Sequence, residues 1–469
     1  MIPPKPKSRD GEVSLRRYVR MFRDDILSAQ PARLYRAWMA EFKTPFFKSF
    51  LVNQPALVKR VLKEEPEAFP KSTRVSEGLR PLLGNSVFLT NGAEWERQRR
   101  IIDPAFEGGR LRDTYPAMWA ASEAMVARLD AGETEIEEVA SFAAADVIFR
   151  TLFSLPIENE VASRVFHEFR AYQRTQPVVN LAAFIPLPRW MPRPHKRRTR
   201  ESAGAIRALI RELCAERMEA IRAGTAPDDL ATKIMTTVDP ETGETFSTEE
   251  MVDQVAIFFL AGHETSASAL GWALYLLATH PEWQEKVALE AAELSSSEFK
   301  EISKLRVTRD VFREALRLYP PVPMMVREAE SARTFRERRV TRGSQIVLSP
   351  WHLHRHERLW EAPDAFDPGR WDTENGQACM RDAFIPFSAG PRVCTGAGFA
   401  MVEGVLLLAK VIGAYAVAPV DGRVPEPVAH LTVRARNGIW LDLSPRSGTA
   451  AALEVTEDKE TDRRCEAHL

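Results

Sequence analysis

The sequence is poor in cysteine and shows no strong excess of either charge. Its 469 residues include four scattered cysteines (Cys214, Cys379, Cys394 and Cys465) with no Cys-x-x-Cys pair. This spacing argues against a disulfide framework or a zinc site and favours a reducing compartment. The formal net charge is only −1, so the overall charge gives no reason to expect nucleic acid as a partner.

Long apolar runs are also missing. The first ten residues are polar and proline-rich, and the longest apolar runs elsewhere are interrupted, one by His263-Glu264 and another by Lys410. We therefore expect a cytoplasmic chain without signal peptide or transmembrane anchor. An apolar segment followed by a basic run at residues 178–200 suggests at most a peripheral membrane contact. A solvated basic face is the simpler interpretation of that run.

Apolar periodicity predicts a mainly α-helical chain. The strongest helix signal begins at a capping box of Ser247 and Glu250 and continues to Ala278, apolar on nearly all sides. Such a helix is expected to cross the centre of the protein. Further helices are predicted at residues 14–40, 56–64, 95–100, 111–180 and 308–318. Strands are predicted at residues 45–52, 326–329, 339–340 and 345–348, with a hairpin over 430–443 that turns at Asn437-Gly438.

One decapeptide, Phe387–Gly396, combines an aromatic ring, two glycines, an arginine and a cysteine just before an apolar helical stretch. Backbone N–H groups at a helix start favour the thiolate of Cys394. Gly390 and Gly396 let a flat group approach the backbone, and Arg392 offers a cationic fork to a carboxylate. These features predict a haem held by Cys394, with Arg392 on a propionate. A lone cysteine in a turn is more often structural, but the whole pattern F-x-x-G-x-R-x-C-x-G is present.

The decapeptide resembles the haem-binding loop of the cytochrome P-450 superfamily. The fixed positions are matched by Phe387, Gly390, Arg392, Cys394 and Gly396. Four more family motifs occur in the right order: W-x-x-x-R from Trp95, A-G-x-E-T from Ala261, E-x-x-R from Glu314 and F-x-P-x-R-W from Phe366. The resemblance implies a mainly α fold with a smaller β-rich lobe and a long central helix over a haem.

The resemblance covers the chain up to about residue 443. It implies a single haem-thiolate catalytic domain over residues 1–443, whose β-rich lobe comes mainly from 45–70, 326–350 and 430–443. The remaining residues, 444–469, are polar and biased in composition, and we predict a disordered tail.

Further haem contacts are implied residue by residue. Trp95 and Arg99 lie four apart on one helix face, and the matching pair in the family reaches the haem propionates. Gln98 stands where many relatives carry histidine, and an amide can still donate a hydrogen bond. Arg327 matches an arginine that binds a propionate in relatives. The alternatives are an amphipathic helix with a solvated arginine face and a surface arginine on a strand.

The motif from Ala261 to Thr265 is implied to carry the oxygen chemistry. Ala261 and Gly262, next to a threonine that competes for backbone carbonyls, predict a local widening of the helix that makes room for dioxygen. Thr265 is implied to hydrogen-bond to oxygen and Glu264 to relay protons from solvent. A threonine that only bonds back to its own helix is the alternative for Thr265.

Glu314 and Arg317 lie on one helix face, and the resemblance adds Arg370 as a third member of a buried charge network. The apolar neighbours of the pair favour burial, which charges survive only when paired and hydrogen-bonded. The implied role is to hold the cysteine loop in shape. An isolated E-x-x-R pair on the surface would contribute little.

The implied function is a haem b monooxygenase that inserts one atom of dioxygen into a C–H bond of a hydrophobic molecule of fatty-acid, terpenoid, steroid or aromatic type. Only 26 residues follow Leu443, so electrons are expected from a separate ferredoxin or flavodoxin with its reductase. Arg97 and Arg100 are candidate docking cations, and Arg74 or Arg80 could hold a substrate carboxylate. We expect a monomer. The alternatives are a peroxide-driven or rearranging enzyme and a non-catalytic haem sensor.

Overall fold

The computed structural model describes residues 1–9, 11–43, 47–175 and 197–446. The helices are α1 (Leu15–Asp24), α2 (Pro55–Lys59), α3 (Thr73–Leu83), α4 (Gly92–Ile102), α5 (Gly108–Val126), α6 (Ile136–Phe153), α7 (Glu160–Thr175), α8 (Arg197–Arg222), α9 (Leu230–Thr236), α10 (Thr248–Ala278), α11 (Pro281–Ala292), α12 (Arg306–Leu318), α13 (Pro350–Leu353), α14 (Glu374–Asp382) and α15 (Ala397–Ala414). Helices dominate, as the sequence predicts. The apolar-then-basic segment at 178–200 lies almost entirely outside the described residues.

The strands form a smaller part of the molecule. They are β1 (Met39–Lys43), β2 (Lys48–Val52), β3 (Gly132–Glu135), β4 (Met325–Glu328), β5 (Arg333–Phe335), β6 (Arg338–Val340), β7 (Gln345–Leu348), β8 (Tyr415–Pro419), β9 (Pro427–Ala429), β10 (Val433–Ala435) and β11 (Trp440–Pro445). A four-stranded sheet has the order β1-β2-β7-β4, in which β2 and β7 are parallel. Phe50, Phe69 and Ile346 are buried in the apolar cluster of this lobe.

The central helix is confirmed. The Ser247 hydroxyl accepts from the Glu250 N–H while the Glu250 carboxylate accepts from the Ser247 N–H, which satisfies two of the free donors at the helix start. Beyond this cap, α10 is buried at most positions and packs against α6, α8, α12 and α15. The helix therefore forms the middle of the larger, helical part of the molecule.

The single helix predicted over residues 14–40 is wrong. Helix α1 ends at Asp24 because the buried Asp25 carboxylate accepts from the N–H groups of Leu27, Ser28 and Ala429, which turns the chain out of the helix. A short 3₁₀ turn and strand β1 complete the segment.

The predicted hairpin over residues 430–443 is also wrong. Strand β10 pairs with β9, whereas β11 pairs with β8 and β3. The Glu135 carboxylate accepts from the Ile439 N–H at 3.1 Å and lies against Gly438, which has φ +76°. This contact directs β11 to another sheet. The β-rich segments therefore do not form one lobe, and residues 53–70 are largely helical. Ser444 and Pro445 belong to β11, while residues 447–469 lie outside the described residues.

Candidate functional site

The cysteine loop, Phe387–Gly396, leads from the apolar cluster around the four-stranded sheet to the start of α15. This cluster, which includes Phe50, Leu62 and Ile385, is called the small lobe. The Cys394 N–H donates to the Phe387 carbonyl at 2.9 Å, and Gly396 caps the helix. Cys394 keeps accessible surface, yet it lies deep enough for desolvation to raise the pKa of its thiol, against the lowering effects of the Gly396 N–H and Arg99. In the chain alone, the helix start favours the thiolate as predicted, but desolvation outweighs this effect and the neutral thiol is preferred. An iron would reverse this preference, because a coordinating thiol is deprotonated outright.

The two glycines of the loop differ in what surrounds them. Gly390 has φ +71°, and a Cβ there would lie 1.9 Å from the Leu62 carbonyl oxygen, so only glycine permits this backbone contact. A Cβ on Gly396 would meet no heavy atom within 4 Å. Gly390 thus braces the loop against residues 60–64, and Gly396 leaves open space beside the sulfur.

Several cations gather around the ring of Trp95. The guanidinium of Arg392 lies 4.8 Å and that of Arg99 5.9 Å from the ring centroid, and the Lys71 ammonium lies 5.4 Å from it. Arg327 is buried close by. Desolvation, followed by repulsion from Arg327, Arg392 and Arg99, lowers the pKa of Lys71 to about 6. Desolvation and then Arg392 lower the pKa of Arg327 to about 10. The charges of this cluster are therefore poorly compensated.

The hydrogen bonds of the cluster go mainly to carbonyl groups. Arg392 donates to the Pro66 carbonyl at 2.8 Å, Arg99 to the Val393 carbonyl at 2.8 Å, and Lys71 to the Val87 carbonyl at 2.6 Å. Arg99 also pairs with Asp103. The Nε of Arg392 is buried and finds no hydrogen-bond partner among the described residues. An anionic group would satisfy that donor and relieve the mutual repulsion.

Lys71 is the member of this cluster that the sequence analysis missed. It stands in a loop between Pro70 and Ser72, outside every motif, and no sequence pattern marks it. Gln98, in contrast, is not engaged with the cations. Its amide donates to the Asn85 carbonyl at 2.7 Å and accepts from the Thr90 hydroxyl at 2.6 Å, so it ties two parts of the chain together.

Helix α10 has solvent-accessible positions in its middle. Ala261 is exposed and Thr265 is half-buried, although most of the helix is buried. The Thr265 hydroxyl donates to the Ala261 carbonyl, as the alternative interpretation expects. The predicted widening is absent, since the helix is α-helical throughout Thr248–Ala278. A Cβ on Gly262 would lie 2.4 Å from Ile148 Cδ1 of α6, so this glycine allows two helices to approach closely.

Glu264 is ion-paired. One of its carboxylate oxygens accepts from the Thr432 hydroxyl at 2.6 Å and from the Arg434 guanidinium at 2.6 Å. The side chain of Glu264 is 9% exposed and that of Arg434 is 39% exposed. The carboxylate thus lies at the boundary between the interior and solvent.

The structure brings Glu314, Arg317 and Arg370 together as predicted. Both oxygens of Glu314 accept from Arg317, at 2.8 and 2.9 Å, and one also accepts from Arg370 at 2.9 Å. The two guanidinium groups donate their remaining hydrogens to carbonyls of residues 354–365. All three residues are buried. The network therefore links α12 to the segment that precedes the cysteine loop.

The proposed docking cations and entrance arginines have partners within the chain. Arg97 pairs with Glu250 at 2.6 Å, and Arg100 pairs with Asp239 at 2.6 Å. Arg80 pairs with Glu77 at 3.1 Å. The Arg74 guanidinium lies over the ring of Phe47. The charge that Arg97, Arg100 and Arg80 offer to a partner or a substrate is therefore smaller than the sequence suggests.

The donor set fits a haem. Cys394 offers a sulfur at a helix start, the cations around Trp95 offer charge for carboxylates, and Ala261 presents a small side chain from the central helix. The described residues contain no group of three or more His, Cys, Asp or Glu that could hold a metal ion. A haem iron can be held by a single cysteine thiolate, and Cys394 is the candidate.

The sequence also matches known proteins. The family model described as Cytochrome P450 matches residues 39–440. Cyclooctat-9-en-7-ol 5-monooxygenase of Streptomyces melanosporofaciens is 32% identical over 80% of this chain and 81% of its own length. A cytokinin hydroxylase of Arabidopsis thaliana is 27% identical over 88% and 83%, and human cytochrome P450 4F2 is 28% identical over 88% and 83%.

Helix α15, Ala397–Ala414, is long and apolar enough to cross a membrane, but 61% of it is buried inside the protein. Such burial is typical of a core helix.

Proposed function

The chain belongs to the cytochrome P450 family and is a monooxygenase of that family, and on this premise we propose how its residues carry the reaction. Cys394 holds the iron of a haem b. The enzyme inserts one oxygen atom into a C–H bond of a hydrophobic small molecule. When bound, the haem supplies the iron that activates dioxygen, with electron density donated by the thiolate.

The cations around Trp95 bind the haem propionates. Arg392, Arg327, Arg99 and Lys71 are the donors in this proposal, and the observation that carries it is their crowding beside Cys394 with depressed pKa values for Lys71 and Arg327. Carboxylates at this position would form charge-assisted hydrogen bonds with groups that otherwise repel one another. Phe387, Gly390 and Gly396 would shape the loop that holds the haem. Gln98 supports the cluster through Thr90, whose carbonyl accepts from Lys71 at 3.0 Å.

Helix α10 supplies the groups for oxygen chemistry. Ala261 leaves room over the haem, and Gly262 keeps the helix close to α6. The Thr265 hydroxyl donates its hydrogen to the Ala261 carbonyl. It becomes available as a proton donor for the reaction once that hydrogen bond is broken. Glu264 passes protons from solvent to this hydroxyl. Glu314, Arg317 and Arg370 fix the segment that leads into the cysteine loop.

The substrate class and the redox partner are also proposals. A substrate of ring-bearing, apolar type is supported by the relative named for cyclooctat-9-en-7-ol and by half-buried Val87, Phe258 and Met324, whose side chains suit a hydrophobic ligand. Electrons come from a ferredoxin or flavodoxin with its reductase. A single catalytic domain over residues 1–443, a monomeric state and a cytoplasmic location remain predictions.

The test is the carbon monoxide difference spectrum of the purified, dithionite-reduced chain. We expect the far-red Soret band of thiolate-ligated haem, and its loss in Cys394→Ser. A histidine-type band, or an unchanged spectrum in Cys394→Ser, would overturn the assignment of the ligand. Product formed with dioxygen, ferredoxin and reductase supports the monooxygenase cycle, whereas product with peroxide alone supports the peroxide-driven alternative.

Thr265→Ala tests the oxygen chemistry separately. The variant keeps the haem spectrum but loses the hydroxyl that donates a proton. We expect less product per electron and more hydrogen peroxide released. An unchanged ratio of product to electrons would remove Thr265 from the proposed relay.

A further inference from the structure

The β9–β10 hairpin reaches Glu264 with two side chains. Thr432 and Arg434 both donate to the same carboxylate oxygen of Glu264, each at 2.6 Å. Alternate residues of a strand share a face, so Thr432 and Arg434 point the same way while Val433 points to the apolar core, where it is buried. The contact is unusual in that the two donors come from an element distant in sequence from α10.

The backbone of this hairpin is held independently of Glu264. The Val433 N–H donates to the Pro321 carbonyl at 2.9 Å, and the Val433 carbonyl accepts from the Ser268 hydroxyl. The Ala435 N–H donates to the Glu137 carboxylate at 3.0 Å. Arg434 therefore projects from a fixed strand, and its reach to Glu264 does not depend on a mobile loop.

Arg434 supplies positive charge that the neighbouring histidine does not. His263, adjacent to Glu264 on α10, is hydrogen-bonded to Ser141 at 2.6 Å. Desolvation, followed by Arg434 and Arg170, lowers the pKa of His263 to about 3, so this ring is neutral near pH 7. A nearly buried carboxylate needs a compensating charge to stay ionised. The guanidinium of Arg434, half-exposed to water, provides it.

We propose that Arg434, assisted by Thr432, is a positioning residue that keeps Glu264 charged and in contact with solvent so that it can take up protons for the reaction. The inference rests on the proposed function of Glu264. Inserting one atom of dioxygen into a C–H bond and releasing the other as water consumes two protons and two electrons. The redox partner supplies the electrons, and Glu264 must collect each proton from water and return to its charged state.

The experiment compares Arg434→Met, Arg434→Lys and Glu264→Gln in the haem-loaded enzyme, with Arg436→Met as the control. Arg436 lies just beyond β10 and pairs with Glu426 and Asp24. We expect Arg434→Met to lower product per electron by about tenfold, less than the roughly 10²–10⁴-fold that a proton-transfer group itself contributes because Glu264 is still present, and to enlarge the solvent isotope effect. Arg434→Lys should restore most of the loss, and Arg436→Met should match the parent enzyme.

A double variant and a spectroscopic measurement separate positioning from mere structural damage. Adding Arg434→Met to Glu264→Gln should cause no further loss, because both act on one step. We subtract the infrared spectrum of the parent enzyme from that of each variant. Arg434→Met should then gain the C=O band of a neutral carboxylic acid, and the double variant should lack that band. Burial raises the pKa of Glu403 to about 8 and that of Glu137 to about 7. The band of Glu403 is common to all variants and cancels. Arg434 also lowers the pKa of Glu137, so an acid band that persists in the double variant belongs to Glu137 and not to Glu264.

The outcomes distinguish the two proposals. If Glu264→Gln keeps full product per electron, the relay through Glu264 is wrong. If Glu264→Gln uncouples the reaction while Arg434→Met does not, or if Arg434→Met gains no acid band, the role of Arg434 is wrong and the relay stands. If Arg434→Met loses the thiolate Soret band, a structural effect replaces the positioning role.

Discussion

Two groups of buried charges in this protein contrast sharply. In the first, Glu314, Arg317 and Arg370, opposite charges meet at 2.8–2.9 Å, and the remaining guanidinium hydrogens reach carbonyl groups. In the second, the cations around Trp95 share mostly carbonyl partners, and a guanidinium nitrogen of Arg392 stays without one among the described residues. Both groups lie next to the cysteine loop, yet only the first is complete within the chain.

The difference distinguishes a group of charges that stabilises the fold from a group that is suited to binding a ligand. A charge network that is satisfied by its own chain stabilises one conformation and has little to gain from a ligand. Like charges held together store unfavourable energy that an anion can release, since the counter-charges of this cluster, Asp103 and Glu67, are themselves partly or largely exposed to solvent. Sequence motifs mark all of the first group and, apart from Lys71, the members of the second. Only the partners seen in the structure distinguish a completed charge network from a binding site.

The largest effect is expected for Glu314→Ala, which would break the complete network. Removing the carboxylate leaves Arg317 and Arg370 as buried cations without a counter-charge, and losses of about 3–5 kcal/mol are typical for breaking a buried pair. Urea unfolding and the haem content of the purified protein measure the effect. Glu285→Ala is the control, since Glu285 pairs with Arg446 at the surface and should cost less than about 1 kcal/mol. Equal losses in the two variants would contradict the contrast.

Arg392→Met is expected to affect the incomplete cluster in the opposite way. The variant removes a propionate donor, so haem should dissociate faster, by about tenfold for the loss of a charge-assisted hydrogen bond. The haem-free chain should lose little stability, because the removal of one of several repelling cations offsets the loss of the hydrogen bond to the Pro66 carbonyl. Haem transfer to an acceptor protein and unfolding of the haem-free chain measure both quantities. Arg333→Met, which breaks a half-exposed pair with Glu65, should leave haem transfer unchanged.

A smaller effect, at most about 1.4 kcal/mol per pH unit, is expected from the titration of Lys71. Its pKa is about 6 in the folded chain and about 10.4 in an unfolded one. Between these values the unfolded chain binds more protons, so the stability of the haem-free protein should rise with pH from about 6 to about 10. Lys71→Met should flatten this rise, measured by urea unfolding at a series of pH values. A slope unchanged by the substitution would show that Lys71 keeps its proton in the folded chain.

Local patterns made several elements predictable. The capping box and the continuous apolar run identified α10, and the i, i+3 spacing placed Glu314 beside Arg317. Fixed spacing within the decapeptide also brought Gly390, Arg392 and Cys394 into one loop. In each case the decisive interactions join residues close in sequence, so the pattern contains the structural information.

Long-range partners were not predictable in the same way. Lys71 reaches the Trp95 cluster from a loop without a motif. The hairpin over 430–443 failed because Glu135, some 300 residues earlier, captures the Ile439 N–H. Arg100 appeared free in the sequence, but Asp239 pairs with it across the fold. The regular α10 shows that a threonine can bond back to its helix without widening it.

The close contact between Gly390 and the Leu62 carbonyl has a consequence for how this enzyme can be changed. Together with the bond from Arg392 to the Pro66 carbonyl, it fastens the cysteine loop to residues 60–66 of the small lobe. Substitutions around Leu62 would therefore act on the position of the sulfur through the backbone of the loop. Variation in this remote segment offers natural drift and laboratory selection a way to adjust the reduction potential of the iron separately from substrate choice.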